Sequence, residues 1–489
     1  MANDADPPGT VPPGTAPPDT TPPGTTPPGT APPDTAPPGT TPPGTASASS
    51  HERELTALPP ARDVVRNAGR AVLSVHHWRA RFVLWTAAVA VGVVAVGFAR
   101  AADLAQLGLR RLLSFSPWWP WLLAPLGFCG IAWLTRRHFR GAEGSGIPQS
   151  IFALQPDSGE KGLLLLRPHI VVGRMILACV GLFCGGSIGR EGPTVHVGAA
   201  ISLAFGRWMP HGGTSAQRRA LILAGGAAGV AAAFNTPLAG IVFAIEELSK
   251  SFEERASGAT LTAVVLSGVV AIAIVGDYTY FGQPVVGTAA QSVSPGTFLV
   301  AIAGGLAGGL FSRLTLIGVS GLPGFVRRFH KARPALFAGV CGLIVAAVGV
   351  ASGGLTYGTG YAEARSILEG HASLPWFYAP ARAVATLATS LSGIPAGLLA
   401  PSLSVGAGLG QVVGDLSGQV TAVPFAILGM CGYLAGVTQA PLTSFVIVME
   451  MTTQHAMVLP LMITAAVATT ISKLLSPPLY QTLADRYAG

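Results

Sequence analysis

Charged residues are so sparse along this chain that the apolar intervals between them, more than any periodicity inside them, define its elements. From Phe82 to Ala99, between Arg81 and Arg100, and again from Ala256 to Gly276, the sequence stays uncharged long enough to suit one bilayer crossing each, which takes about 20 apolar residues. The runs from Ala383 to Gly414 and from Leu416 to Met449 are too long for a single crossing and are interrupted by proline and glycine. They predict several short or tilted helices. Gly304-Gly305-Leu306-Ala307-Gly308-Gly309 predicts a place where helix backbones touch, because helix contact in lipid relies on small residues.

Two kinds of repeat divide the chain. Residues 7 to 46 are tandem pentapeptides, Pro-Pro-Gly/Asp-Thr-x, which cannot bury a core and predict an extended, solvated tail over 1–60. The second repeat lies in the apolar part. Pro193-Thr194-Val195-His196-Val197-Gly198-Ala199 aligns with Pro401-Ser402-Leu403-Ser404-Val405-Gly406-Ala407, an offset of 208 residues. Ala228-Gly229-Val230, Pro237-Leu238 and Glu246 align in the same order with Ala435-Gly436-Val437, Pro441-Leu442 and Glu450. The chain therefore reads as an all-α polytopic membrane protein over 61–489, with two related halves at about 80–275 and 294–475 and a final helix at about 477–487. In transporters such halves are often inverted, and discontinuous helices build the substrate site at the midplane.

Composition agrees. Half of the 489 residues are hydrophobic and 11% are charged, against about 25% in ordinary soluble proteins. The net charge of +8 could suggest nucleic acid, but most basic residues flank apolar runs, where topology explains them. Arg62, Arg66, Arg70, Arg79 and Arg81 precede the first span, which by the positive-inside rule places the N-terminus in the cytoplasm. Arg136, Arg137 and Arg140 fit a hairpin returning to that side, and no cleaved signal peptide is expected. Cys129, Cys179, Cys184, Cys341 and Cys431 have no metal-like spacing to histidine and read as core residues. No metal or cofactor is expected, since HExxH, P-loop and dinucleotide fingerprints are all missing from the sequence.

Gly189-Arg190-Glu191-Gly192-Pro193 stands out, because a carboxylate in so apolar a run costs about 2.5–3.5 kcal/mol on insertion scales. The glycines let the backbone approach a ligand closely, and Pro193 suits the first position of a helix. Glu191 would then stand where free helix amides attract anions, so the side chain and a mobile anion compete for one place. Gly144-Ser145-Gly146-Ile147-Pro148 and the run Ser392 to Pro401 share the pattern of small residues leading into a proline. Three converging helix starts would bind an anion without a full positive charge, weakly enough for passage, and Ser145 adds a hydroxyl. The bland alternatives are an Arg190–Glu191 ion pair, solvated carboxylates at Glu246 and Glu247, a structural Glu450 and a packed His196. Gly185-Gly186-Ser187-Ile188-Gly189 also fits the G-x-S-x-G pattern of a serine hydrolase, without strand context or an acid partner.

These motifs resemble the CLC chloride channels and chloride/proton exchangers over nearly all of residues 80–487. Gly144 to Pro148 matches that family's GSGIP motif, Gly189 to Pro193 its GREGP motif, and Gly397-Leu398-Leu399-Ala400-Pro401 its GxFxP motif. Phe234 to Gly240 running into Glu246-Glu247, and Pro478-Leu479-Tyr480, match further blocks. The resemblance implies a CLC-type fold of two inverted repeats, working as a homodimer with one pathway per subunit. It implies chloride held by the hydroxyls of Ser145 and Tyr480 and the amides of Leu398 and Leu399. Glu191 would be the gate and Glu247 the internal proton-transfer residue, with Glu246 beside it. Leu399 departs from the usual phenylalanine, and Arg174 stands where the family usually has lysine; its charge cannot titrate. The nucleotide-binding domains that follow the membrane part in many eukaryotic relatives are not expected.

The expectation is a chloride/proton antiporter in the lipid bilayer, most simply a bacterial inner membrane, with chloride and protons as the transported ions, a second copy as its partner and no nucleic acid. A passive chloride channel of the same fold is the alternative, and an intramembrane serine hydrolase a distant one.

Overall fold

Proline and glycine set where the helices of this chain begin and end. The computed structural model describes residues 75–209, 214–249, 258–276, 280–282, 284, 286, 293–371, 373–418 and 422–488; the expected 1–60 tail lies outside them. Among the described residues there are 19 α-helices and no strand. The first series comprises α1 (Val75–Phe115), α2 (Pro120–His138), α3 (Ile147–Leu154), α4 (Gly159–Leu165), α5 (Pro168–Phe183), α6 (Glu191–Phe205), α7 (Ser215–Phe234), α8 (Pro237–Phe243) and α9 (Gly258–Val275). A π turn over Ala244–Leu248 prolongs α8. The second comprises α10 (Pro295–Ile317), α11 (Gly324–Ala332), α12 (Pro334–Ala351), α13 (Tyr361–Leu368), α14 (Tyr378–Leu391), α15 (Leu399–Leu416), α16 (Val423–Thr438), α17 (Pro441–Thr452) and α18 (Val458–Leu475). The short α19 (Leu479–Asp485) closes the fold.

Among the described residues, four helices are long and apolar enough to cross a membrane, at Trp78–Phe115, Pro295–Gly321, Pro334–Ala351 and His455–Leu475, and a fifth candidate is the pair Pro156–Leu165 and Pro168–Phe183, bent by 59°. Several others are much shorter. Eight residues of α3 rise only about 12 Å, well short of a ~30 Å hydrocarbon core, so such helices end inside the protein. As the proline-broken runs predict, Ala383 to Gly414 is shared by α14 and α15 and Leu416 to Met449 by α16 and α17.

The duplication is visible atom by atom. Gly198 of α6 meets the backbone of Gly225 in α7, and Gly406 of α15 meets Gly429 in α16, so closely that a Cβ at either would collide with a carbonyl oxygen. Asn235 and Gln439 end α7 and α16 in the left-handed region, at φ 55° and 60°. Gly304 and Gly308 of α10 press on α16 at Gly432 to Val437, while Gly305 and Gly309 press on α18 at Ala468 and Ser472. The glycine cluster thus serves two helix contacts at once, as small residues do in lipid.

Candidate anion and proton pathway

The two halves meet at backbone. Gly189 donates to the Gly397 carbonyl at 2.8 Å and Gly397 donates back to Gly189 at 3.2 Å; their numbers differ by the 208 of the repeat. Beside them the Gly144 amide donates to Ile394 at 3.2 Å, and its carbonyl accepts from Ala396 at 3.1 Å. These bonds bring the turns before α3, α6 and α15 together, as the three proline-bearing motifs predict. The helix starts differ in detail from expectation. Pro193 and Pro401 are third in α6 and α15, and Pro148 is second in α3. A missing N–H costs nothing anywhere in a first turn, whose amides have no intrahelical acceptor. The first residue of α6 is Glu191 itself, so its carboxylate sits at the positive end of the helix.

Glu191 is fully buried. Its Oε1 accepts a 2.5 Å hydrogen bond from the hydroxyl of Tyr361. Its Oε2 has no hydrogen-bond partner of its own and lies against Gly189 next to the Ala400 amide and the Pro401 ring. The carboxylate is therefore at the N-terminus of α15, whose first residues Leu398 and Leu399 are both buried. Gly192 packs on the Ser145 carbonyl, and a Cβ at Gly146, where φ is 98°, would collide with Gly192, His196 and Arg174. Ser145 is buried, and the Ile147 amide approaches its Oγ at 3.4 Å.

Tyr480 completes the cluster. It is fully buried, its hydroxyl has no protein partner, and it lies within electrostatic range of both Glu191 and Glu247. Its neighbour Gln481 donates to the Glu247 carbonyl at 2.9 Å, tying α19 to the π turn. Glu247 is buried in that turn. Glu246 points elsewhere: its carboxylate accepts from the amides of Leu442 at 3.0 Å and Thr443 at 2.6 Å. Glu450 returns the favour to Leu238 at 3.1 Å and Ala239 at 2.8 Å. Each of these two acids caps the first turn of the other half's helix.

Arg174 is fully buried and donates to the carbonyls of Gly144 at 2.9 Å, Gly141 at 3.0 Å and Glu143 at 3.4 Å. It shapes the turn that carries Ser145 and does not touch Glu191. Arg190 is not paired with Glu191 either. It bonds Asp103 at 2.9 Å, the Ala99 carbonyl at 3.1 Å and the Tyr280 hydroxyl. His196 is buried, with Nε2 3.0 Å from the Leu165 carbonyl, in keeping with a packed histidine. The Ser187 hydroxyl is buried 2.7 Å from that of Thr386, with neither histidine nor carboxylate bonded to it. Cys184, Cys341 and Cys431 are buried, but Cys129 and Cys179 are only partly so.

Sequence reasoning missed two residues. Arg382, fully buried, donates to Leu355 and Tyr357 at 3.2 Å and to Gly358 at 2.6 Å. It does for that turn what Arg174, 208 residues earlier, does for Gly141 to Gly144. Tyr361 begins α13 just after Gly358-Thr359-Gly360, the counterpart of Gly144-Ser145-Gly146; the flanking glycines have φ of 72° and 85° in one and 67° and 98° in the other. Extending the repeat to these short motifs would have found both.

Known proteins point the same way. Residues 127–473 match the family described as voltage gated chloride channel. An H(+)/Cl(-) exchange transporter ClcA from Cronobacter sakazakii is 31% identical over 430 residues, covering 81% of this chain and 87% of the relative. One of the same name from Citrobacter koseri is 31% identical over 442 residues, covering 83% and 88%. The fold is similar to a slow cyanobacterial Cl-/H+ antiporter (TM-score 0.68, 24% identity, 83% of this chain and 97% of the other). It is also similar to a CLC-type fluoride/proton antiporter (TM-score 0.66, 23% identity, 84% and 98%).

Proposed function

This chain belongs to the voltage-gated chloride channel family, the CLC proteins, and from that premise we propose that it is a chloride/proton antiporter in which Glu191 is both gate and proton carrier. One observation carries the proposal: the Glu191 carboxylate stands at the start of α6, against the start of α15, with Oε2 and the Tyr480 hydroxyl both buried and unpartnered. Buried polar groups nearly always find a partner. A chloride passing among Ser145, Tyr480 and the amides of Leu398 and Leu399 would accept from the Tyr480 hydroxyl, and could share the place with Glu191 only once that carboxyl is protonated.

Coulomb repulsion then couples the two ions. Two unit charges 4 Å apart repel by about 4 kcal/mol at an effective dielectric constant of 20, so the ionised carboxylate and a chloride exclude each other from one place. Protonating Glu191 removes the repulsion and frees the site. Glu247, buried and within electrostatic range of Tyr480, is the group that hands protons over from the opposite end. Ser145 within the Gly-Ser-Gly-Ile-Pro motif supports chloride as the anion. The protein works as a homodimer with one pathway per subunit in a bacterial inner membrane, its N-terminus cytoplasmic, as the arginines before α1 suggest.

The test uses sealed proteoliposomes. An imposed chloride gradient should drive protons uphill, and Glu191→Gln should abolish proton movement while retaining chloride flux. Brisk chloride flux without proton movement in the unmodified protein would instead make it a passive channel. Loss of both ions in a well-folded Glu191→Gln protein would remove the gate role.

A further inference from the structure

Beyond Glu191, one residue controls where its carboxylate rests. We propose that Tyr361 is a positioning residue that latches the ionised Glu191 side chain in the pathway and thereby sets the pH at which chloride flux turns on. The proposal rests on Glu191 being the gate. Among the described residues, the Tyr361 hydroxyl is the one side-chain donor bonded to that carboxylate, at 2.5 Å. The ring is itself fixed. Its centroid is 4.6 Å from that of Tyr280 and 5.5 Å from that of Phe281, and the Arg190 guanidinium lies 5.6 Å over it. A held ring cannot follow a departing carboxylate, so Glu191 must break this bond to leave.

The latch faces a cavity of about 410 Å³ lined by Asp103, Arg110, Arg190, Tyr361 and Arg365 among others, an anteroom of mainly positive charge one hydroxyl away from the gate. Two of its three arginines are already committed: Arg190 to Asp103, and Arg365 to Glu369 at 2.7 Å. From α19, Tyr480 lies within electrostatic range of both Glu191 and Glu247. From α5, Arg174 is spent on the carbonyls before α3, and His196 of α6 itself on Leu165. The start of α15 presents only apolar side chains.

A hydroxyl donates more strongly to a carboxylate than to a neutral carboxyl, so it favours the ionised, pathway-blocking form. Tyr361→Phe keeps the ring and deletes the donor. The pH of half-maximal chloride flux in proteoliposomes should rise by about one unit, a tenfold change worth about 1.4 kcal/mol, with the maximal flux at low pH unchanged. In a Glu191→Gln background the same substitution should change nothing. A Tyr361→Phe profile that overlays the unmodified one, while Glu191→Gln abolishes pH dependence, would overturn the latch and spare the gate. Glu191→Gln retaining full pH dependence would overturn the gate itself. A shift that persists in the Glu191→Gln background would show the hydroxyl acting on another group, which also overturns the proposal. Should Tyr361→Phe not fold, 3-fluorotyrosine at 361, a more acidic donor of nearly the same shape, should lower the midpoint; no change or a rise would refute the latch.

Discussion

Adjacent acids of one π turn should behave oppositely when removed: Glu246→Ala should weaken the fold and spare coupling, and Glu247→Gln should do the reverse. Glu246 accepts the second and third amides of α17 and Glu450 those of α8, in each case one exposed and one partly buried bond. Losing a side-chain acceptor at a helix start costs about 0.5–2 kcal/mol, and losing the negative charge from the positive end of the dipole about 0.3–1 kcal/mol. Partial exposure holds each single variant to about 1–2 kcal/mol. The double variant Glu246→Ala/Glu450→Ala should lose less than the sum of the two, by about 0.5 kcal/mol or more. Each acid stands on or beside the helix its partner caps, so releasing one bracket already loosens the other. Unfolding of purified protein in mixed micelles gives the cycle, and proton uptake driven by a chloride gradient gives the coupling. The reasoning fails if Glu246→Ala leaves stability unchanged and stops proton movement, which would put Glu246 in the relay, or if Glu450→Ala is thermodynamically silent.

Arg382→Ala should abolish well-folded protein in detergent extracts, because it orphans the buried carbonyls of Tyr357 and Gly358 at about 1–3 kcal/mol each and the partly buried one of Leu355; Arg382→Lys, with charge but no fork, should fold less well than the unmodified protein and better than the Ala variant on size exclusion. Ser187→Ala removes the bond to Thr386, worth about 0.5–1.5 kcal/mol, and should leave chloride and proton flux at unmodified levels; a hydrolase nucleophile at this position would instead show as ester hydrolysis lost in the variant.

How much of this was legible in the sequence depended on whether backbone or side chain carried it. The turns before α3, α6 and α15 need glycine for close approach and proline for a bounded start, so they leave a local signature, and the meeting of the two halves at Gly189 and Gly397 was within reach. The position of Pro193 within α6 was not, because every first-turn position tolerates a missing N–H. Glu246 and Glu450 aligned as repeat partners, yet their reciprocal capping could not be read, since it is made by helices some 200 residues apart. Arg190 offered an adjacent acid and took a distant one, Asp103 on α1, because neighbours in a helix point apart. Tyr361 carried no signal at all in isolation. A tyrosine after a glycine is unremarkable until α13 is seen to start where α3 starts in the other half.

That comparison shows how a duplicated scaffold becomes a directional device. Glu191 and Leu399 are 208 residues apart and are the first residues of α6 and α15. Ile147 and Tyr361 likewise begin α3 and α13, each after a glycine of positive φ. The backbone frame is thus nearly the same seen from either half, while each pair sets a polar side chain against an apolar one. Acids at both 191 and 399 would flank the same Gly189–Gly397 contact and repel by several kcal/mol, so one proton would be kept permanently to relieve the clash and could not be exchanged. On the proposed reading, a single acid at the junction, latched from α13 and answered by Glu247, leaves the proton free to move and gives the two ends of the route different chemistry. Introducing Leu399→Glu should therefore not double the proton capacity of the pathway; it should lock a proton between the two carboxylates and slow both ions together.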